Sequence, residues 1–121
     1  MKDFTEIAED KIIYSGKYFF IIEDGFPVSP GHLLIISNEV KTDFFALSTE
    51  EKNALPFMIE KAKEIILSQY QADAFNIGMN CGADAGQTVF HFHCHVIPRY
   101  KGDMDNPKGG VRHVIPGKGS Y

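Results

Sequence analysis

Phe90-His91-Phe92-His93-Cys94-His95-Val96-Ile97-Pro98-Arg99 holds three of the five histidines of this chain at strict two-residue spacing. Successive side chains of a β-strand point to opposite faces, so residues i, i+2 and i+4 share one. Read as a strand, the stretch sets His91, His93 and His95 in a row, about 7 Å from one to the next. Phe90, Phe92, Cys94 and Val96 then face the other side and enter a core. A helix would scatter the same residues. Aromatic and β-branched content favours the strand, and Pro98 is predicted to end its ladder pairing. A polar row on a packed face is costly without partners, so three aligned imidazoles point to function.

Outward from this strand, Cys81–Gln87 is a Gly-rich loop that leads straight into it. Before the loop, Ala74–Asn80 reads as a strand alternating Phe75, Ile77 and Met79 against Asn76, Gly78 and Asn80. Ser48 with Glu51 three residues on is a capping-box signature. Leu55, Met58, Ile59, Ala62, Ile65 and Ile66 follow at three- and four-residue spacing, the apolar stripe of one long amphipathic helix. Pro56 falls inside the stripe and is predicted to kink the helix or move its start. His32–Ser37 reads as a buried strand, Lys11–Tyr14 and Tyr18–Glu23 as strands joined at Ser15-Gly16, and Asp3–Ala8 as a helical turn. Short strands around one helix predict an α+β domain with a mostly antiparallel sheet. That single domain is expected over residues 1–100. Residues 101–121 form a Gly-rich, basic C-terminal arm ordered only by docking.

Composition narrows the class. A length of 121 residues without a repeat suits one domain with a real core, and 44% apolar with 23% charged residues is ordinary for a soluble globular protein. No apolar run approaches the roughly 20 residues that span a bilayer, and Met1-Lys2-Asp3 does not open a signal peptide. Cys81 and Cys94 lie outside any Cys-x-x-Cys pair and read as reduced, so a cytoplasmic protein with no membrane partner is expected. The net charge of −4 hides an asymmetry: residues 99–121 hold five basic against two acidic side chains. A basic segment after the histidine strand suits an anionic ligand. The acidic overall balance argues against a nucleic-acid partner. His113, alone in the tail, reads as an ordinary satisfied core histidine.

Two readings of the row stay open at this level. His-x-His on a strand is a metal-ligand arrangement for zinc, copper or iron. A catalytic row instead uses one imidazole as nucleophile and its neighbours as donors or proton carriers. The loop Asn80-Cys81-Gly82-Ala83-Asp84-Ala85-Gly86-Gln87-Thr88 offers an amide, a hydroxyl and backbone N–H groups. Those suit oxyanions and make poor metal ligands.

His91-Phe92-His93-Cys94-His95-Val96-Ile97 fills the pattern His-φ-His-φ-His-φ-φ. Together with Pro30-Gly31-His32-Leu33-Leu34-Ile35-Ile36 and Gly86-Gln87-Thr88-Val89, it resembles the histidine triad family of nucleotide hydrolases and transferases, over roughly residues 4–100. Pro98-Arg99 is similar to the dinucleoside polyphosphate hydrolase branch. The phosphoramidase branch tends to carry glycines there, and the uridylyltransferase branch replaces the histidine at His95 with glutamine. The resemblance implies a nucleotide substrate and His93 as nucleophile at the α-phosphorus, with the His91 carbonyl fixing its tautomer. It implies His95 on the phosphate and leaving oxygen, with His32 and His91 as supports hydrogen-bonded to each other. Asn80, Gln87 and Thr88 match positions that bind phosphate oxygens or the leaving part. Asp24 matches a residue that binds ribose hydroxyls, and reads equally as the turn residue of Asp24-Gly25.

Positioned neutral donors can stabilise a transferring phosphate, so no cofactor and no catalytic metal is expected. Many bacterial members hold a structural zinc with an N-terminal Cys-x-x-Cys. This chain has Asp3-Phe4-Thr5-Glu6-Ile7 there instead. The resemblance further implies a homodimer joined through the long helix and an adjoining strand. Dinucleoside polyphosphates or related nucleoside phosphate esters lead as substrates, with nucleoside phosphoramidates as the alternative. A non-catalytic nucleotide-binding or metal-binding module is the alternative of another class. Phe19, Ile21, Ile22, Phe26, Val28 and Leu34 read as core or as base-binding residues, and the sequence does not separate the two.

Overall fold

The computed structural model describes residues 3–121, so Met1 and Lys2 of the expected 1–100 domain lie outside the described residues. Five strands form one antiparallel sheet: β1 (Ile12–Ser15), β2 (Phe19–Glu23), β3 (Leu33–Ser37), β4 (Ala74–Gly78) and β5 (His93–Arg99). Their order is β1-β2-β3-β5-β4, every neighbouring pair antiparallel. One helix, α1 (Thr49–Gln69), covers one face. The α+β class read from the sequence is what the chain adopts. No helix among the described residues is long and apolar enough to cross a membrane.

Alternation divides each strand between two faces. Phe19, Ile21, Leu33, Ile35, Phe92, Cys94 and Val96 pack with Leu55, Met58, Ala62 and Ile66 of α1 into the main core. Ile22, Leu34 and Ile36 turn the other way and form a smaller cluster with Phe4. The register sets Leu34 opposite His95 and Ile36 opposite His93, so this second face is the histidine face. All five residues of β3 are buried, because strands flank it on both sides and its two faces are both covered.

The capping box forms as read. Ser48 accepts from the Glu51 N–H at 3.1 Å, and the Glu51 carboxylate accepts from the Ser48 N–H at 2.7 Å. The helix departs from the expectation at Pro56, which it passes without a break. Pro56 is exposed, so the Lys52 carbonyl freed by the missing N–H faces water. Pro98 departs likewise: it does not end the ladder but pairs with Phe75 inside β5. Pairing of β3 with β5 ends at Leu33–Val96, and the Pro98 carbonyl accepts from Ser29 Oγ at 2.6 Å. N and O of one strand residue point the same way, so the missing donor faces the side that β3 has already left.

Three smaller expectations are corrected. Phe90 is 44% exposed rather than core, because the strand starts only at His93. Asp3–Ala8 holds only one hydrogen-bonded turn, Ile7 N–H to the Phe4 carbonyl at 3.4 Å, and the 3-10 helix follows it at Glu9–Lys11. His113 is exposed and turned onto the Lys108 carbonyl at 2.8 Å. The tail carries a 3-10 segment, Gly110–Val114, packed against β4.

Gly31 shows why the turn into β3 needs a glycine. Its φ is +93°, and a Cβ there would stand 2.9 Å from the Tyr70 ring.

Candidate active site

His93 and His95 come from β5, as alternate residues on one face, with ring centroids 5.4 Å apart. His91 lies toward the same face: Phe4 of the histidine-face cluster packs on its ring at 5.5 Å and on that of His93 at 5.1 Å between centroids. His91 lies before the strand and is 1% exposed, where the chain bonds to the end of β3 and just beyond it: Ser37 N–H to the Phe92 carbonyl, Phe92 N–H to the Lys41 carbonyl. His32 sits just before β3 and is 2% exposed. It pairs with His95, Nε2 to Nδ1 at 2.9 Å, not with His91 as the resemblance implied.

Backbone groups fix the proton on His91, His93 and His32, and His32 passes the choice on to His95. A backbone N–H only donates and a carbonyl only accepts, so a ring nitrogen facing one has its role decided. His91 Nδ1 accepts from Phe4 N–H at 3.0 Å, which leaves its Nε2–H to donate to the Ser37 carbonyl at 2.7 Å. His93 Nδ1–H donates to the His91 carbonyl at 2.8 Å, so its Nε2 keeps a free lone pair. His32 Nδ1 accepts from Val28 N–H at 3.0 Å, so its Nε2–H donates to Nδ1 of His95. His95 is then an acceptor at Nδ1 and carries its proton on Nε2. A bare nitrogen and an N–H donor thus stand side by side.

Electrostatics agree with this wiring. Burial lowers the pKa of His32, opposed by Asp24. The His95 pKa is pushed down to about 4 by burial first, then by His93 and His32, again opposed by Asp24. Asp24 Oδ2 stands 3.3 Å from His32 Nε2 and 3.7 Å from His95 Nδ1, while Oδ1 accepts from Phe26 N–H at 2.8 Å. The turn reading of Asp24 is met by one oxygen, and the other stands at the histidines.

Asp24, His32 and His95 offer ligand atoms within 4.8 Å of one another, a spacing that could hold a cation. The hydrogen bonds argue against a resident one. A metal-bound imidazole ordinarily donates its second ring N–H, yet Nδ1 of His32 faces the Val28 N–H, itself a donor. Loading Nε2 with a metal would break that bond or strip both ring protons.

The loop residues divide. Gln87 is buried and fully engaged: Oε1 accepts from Gly82 N–H at 2.8 Å, and Nε2 donates to the Thr42 and Val89 carbonyls at 2.6 and 3.1 Å. Its side chain braces the loop and has no donor left for a phosphate, which corrects its expected role. Thr88 and Asn80 are exposed, and Asn80 shares a groove with His95. Of the apolar set left open by the sequence, Phe19, Ile21, Ile22 and Leu34 are buried, whereas Phe26 and Val28 are exposed at that groove.

Two participants had no usable sequence signal. Phe4 supplies the N–H to His91 and lays its ring edge-on to His93 at 5.1 Å, from a position 87 residues away. Asn76 is held by Arg99 Nη1 at 2.7 Å and lines the groove.

Comparison with known proteins places these features. The HIT domain profile matches residues 5–102. A bis(5′-nucleosyl)-tetraphosphatase (asymmetrical) of Schizosaccharomyces pombe is 40% identical over 78 residues, covering 64% of this chain and 43% of that protein. A bis(5′-adenosyl)-triphosphatase of Saccharomyces cerevisiae is 31% identical over 96 residues, covering 78% and 47%. The chain thus spans less than half the length of either relative. The crystal structure of a HIT family protein from Bacillus anthracis superposes with a TM-score of 0.70 at 37% identity, over 74% of this chain and 64% of the other.

Proposed function

The chain belongs to the histidine triad (HIT) family, and on that premise we propose that it hydrolyses dinucleoside polyphosphates or related nucleoside phosphate esters through a nucleotidyl-His93 intermediate. One observation carries the reading: the His91 carbonyl takes the Nδ1 proton of His93 at 2.8 Å and leaves Nε2 bare.

Nε2 of His93 attacks the α-phosphorus. The N–P bond forms as the P–O bond to the leaving phosphate breaks, and the electron pair departs on that oxygen. The Nε2–H of His95 donates a hydrogen bond to it. Water then attacks the phosphorus, the N–P bond breaks with its pair returning to Nε2, and the proton lost by water passes to solvent. Asn80, Thr88 and the loop N–H groups bind phosphate oxygens, and Asp24 Oδ2 accepts from ribose hydroxyls. Gln87 keeps the loop in shape. These neutral donors stabilise the charge, so no metal or other cofactor is needed.

The state of His95 bears on the leaving group. A neutral His95 gives a hydrogen bond readily, but a full proton only by becoming an imidazolate. A phosphate leaving group, with its second pKa at about 6, departs as an anion and asks for no more. An amine must be protonated as it leaves. That favours phosphate esters over the alternative, phosphoramidates.

Phe57 and Leu67 on α1 and Ile77 on β4 are exposed apolar side chains on the helix and the edge strand. We place a homodimer interface there, checked by light scattering at micromolar concentration. Residues 1–100 form the catalytic domain and residues 101–121 its arm. Both cysteines are free thiols, which supports a cytoplasmic location. No part of the reading calls for nucleic acid or membrane.

Turnover of diadenosine triphosphate and adenosine phosphoramidate, with chelator present, tests the core of this. Wild type should hydrolyse the first faster, and His93→Ala should lose both. Binding without any turnover would overturn the enzyme in favour of a nucleotide-binding module.

A further inference from the structure

A groove of about 490 Å³ opens beside His95 and runs on past it, a volume in the range of small-molecule sites. Its floor is the histidine face of β4 and β5, where Gly78 pairs with His95 and Asn76 with Ile97. From His93 to His95 to Ile97 the strand advances about 7 Å per step, so the groove lies beyond His95 on the side away from His93.

Its walls come from two segments far apart in sequence. Phe26 and Val28 are 91% and 72% exposed on one side; Val111 and Val114 of the tail are 62% and 77% exposed on the other. Single exposed apolar residues are unremarkable, but four converging on one groove beside a reactive centre mark a binding surface.

The floor carries an oriented donor. Arg99 is gripped by Asp103, Nε to Oδ2 at 2.8 Å and Nη2 to Oδ1 at 2.7 Å. Its Nη1 donates to Oδ1 of Asn76 at 2.7 Å, which fixes the amide and turns Nδ2 away from Arg99. Nδ2 lies toward the tail, 3.2 Å from where a Cβ on Gly110 would stand. Arg99 is thus a positioning residue for the amide of Asn76, a residue that lines the groove.

We propose that this groove is a leaving-group subsite that receives the departing nucleoside of a dinucleoside polyphosphate, with the C-terminal tail as one of its walls. The inference rests on the proposed hydrolase reading and deepens it by placing the half of the substrate that departs. The leaving oxygen takes its hydrogen bond from Nε2–H of His95, so the departing group lies at His95, where the groove opens. Asn76 Nδ2 donates to its phosphate or ribose oxygens. The base lies between the Phe26–Val28 wall and the Val111–Val114 wall. The transferred nucleotide stays at the near end, with its ribose at Asp24.

Calorimetric binding of a methylene-bridged, non-hydrolysable diadenosine tetraphosphate and of AMP gives the test, because neither needs turnover. Wild type should prefer the dinucleotide. In Val111→Asp, Val114→Asp and Asn76→Asp that preference should fall by about tenfold. Ile115→Asp, a neighbour in the tail that does not line the groove, should keep it. A preference that survives all three substitutions overturns the subsite. Equal loss of both ligands overturns it too, because the groove would then hold the transferred nucleoside. A preference lost as expected in a protein without turnover keeps the subsite and removes the hydrolase reading. Normal turnover with no preference does the reverse.

Discussion

The two faces of this sheet are built from the same strands and closed by different means. One face is sealed by a single 21-residue helix and is packed mainly with apolar side chains. The other is covered in pieces, by Phe4 from the N-terminus, by the Phe26–Val28 loop and by the tail, and it keeps four imidazoles among its apolar side chains. A continuous lid lets a face hold the fold together. A lid in pieces leaves a gap over His95 and supplies backbone donors at chosen points. Phe4 N–H and Val28 N–H are such donors, and each settles which nitrogen of a histidine carries the proton.

The sharpest way to break the comparison is to injure each face separately. His93→Ala should cost at least about a thousandfold in kcat for diadenosine triphosphate and little in stability, because the side chain is only half-buried. Phe92→Ala, one position away but on the helix face and packed on Phe19 at 5.8 Å between centroids, should cost about 3–5 kcal/mol in urea unfolding. Residual kcat per folded molecule in that variant should stay near wild type. Should both lose activity and stability together, the two faces are not independent.

Acid should reach the histidine face first. His95 titrates at about 4 folded against 6.5 free, so the unfolded chain binds more protons between those values. Stability is whole above pH 6.5 and falls as the pH drops toward 4, by about 3 kcal/mol for this group. Equilibrium unfolding across that window measures it, and a flat profile would mean that burial of His95 carries no linkage.

His32→Ala removes the donor to His95 and should lower kcat about tenfold. It should also move the acid limb of kcat/KM upward, because His32 is one of the causes that hold the His95 pKa down. Glutamine at this position keeps an N–H and should recover part of the loss. A purely structural His32 would leave the limb in place. The smallest effect is expected on the helix face, where Ser48→Ala removes half of the capping box at a cost of about 1 kcal/mol without touching kcat.

Periodicity made the helix face readable. The Leu55–Ile66 stripe, the capping box and the alternation of Cys94 and Val96 all report local geometry, and local geometry survives folding. The histidine face was legible in its residue types but not in its connections. His91 is held by the Phe4 N–H and the Ser37 carbonyl, partners that no spacing along residues 90–99 announces. His32 chose His95 because Leu34 and His95 share a register position, a fact of pairing rather than of pattern. Gln87 looked like a ligand for phosphate because an amide in a Gly-rich loop often is one; here two carbonyls and an N–H of the chain claimed it first. Pro98 misled for the opposite reason, since a rule about ladders applies only to the side on which a ladder exists.

The Phe4–His91 hydrogen bond joins positions 87 apart and reaches the reactive nitrogen through one carbonyl. A protease nick or a fusion partner next to Phe4 would therefore act on the nucleophile at a distance, leaving every histidine and the main core in place. Preparations that differ only at the N-terminus should differ in specific activity while giving the same unfolding curve.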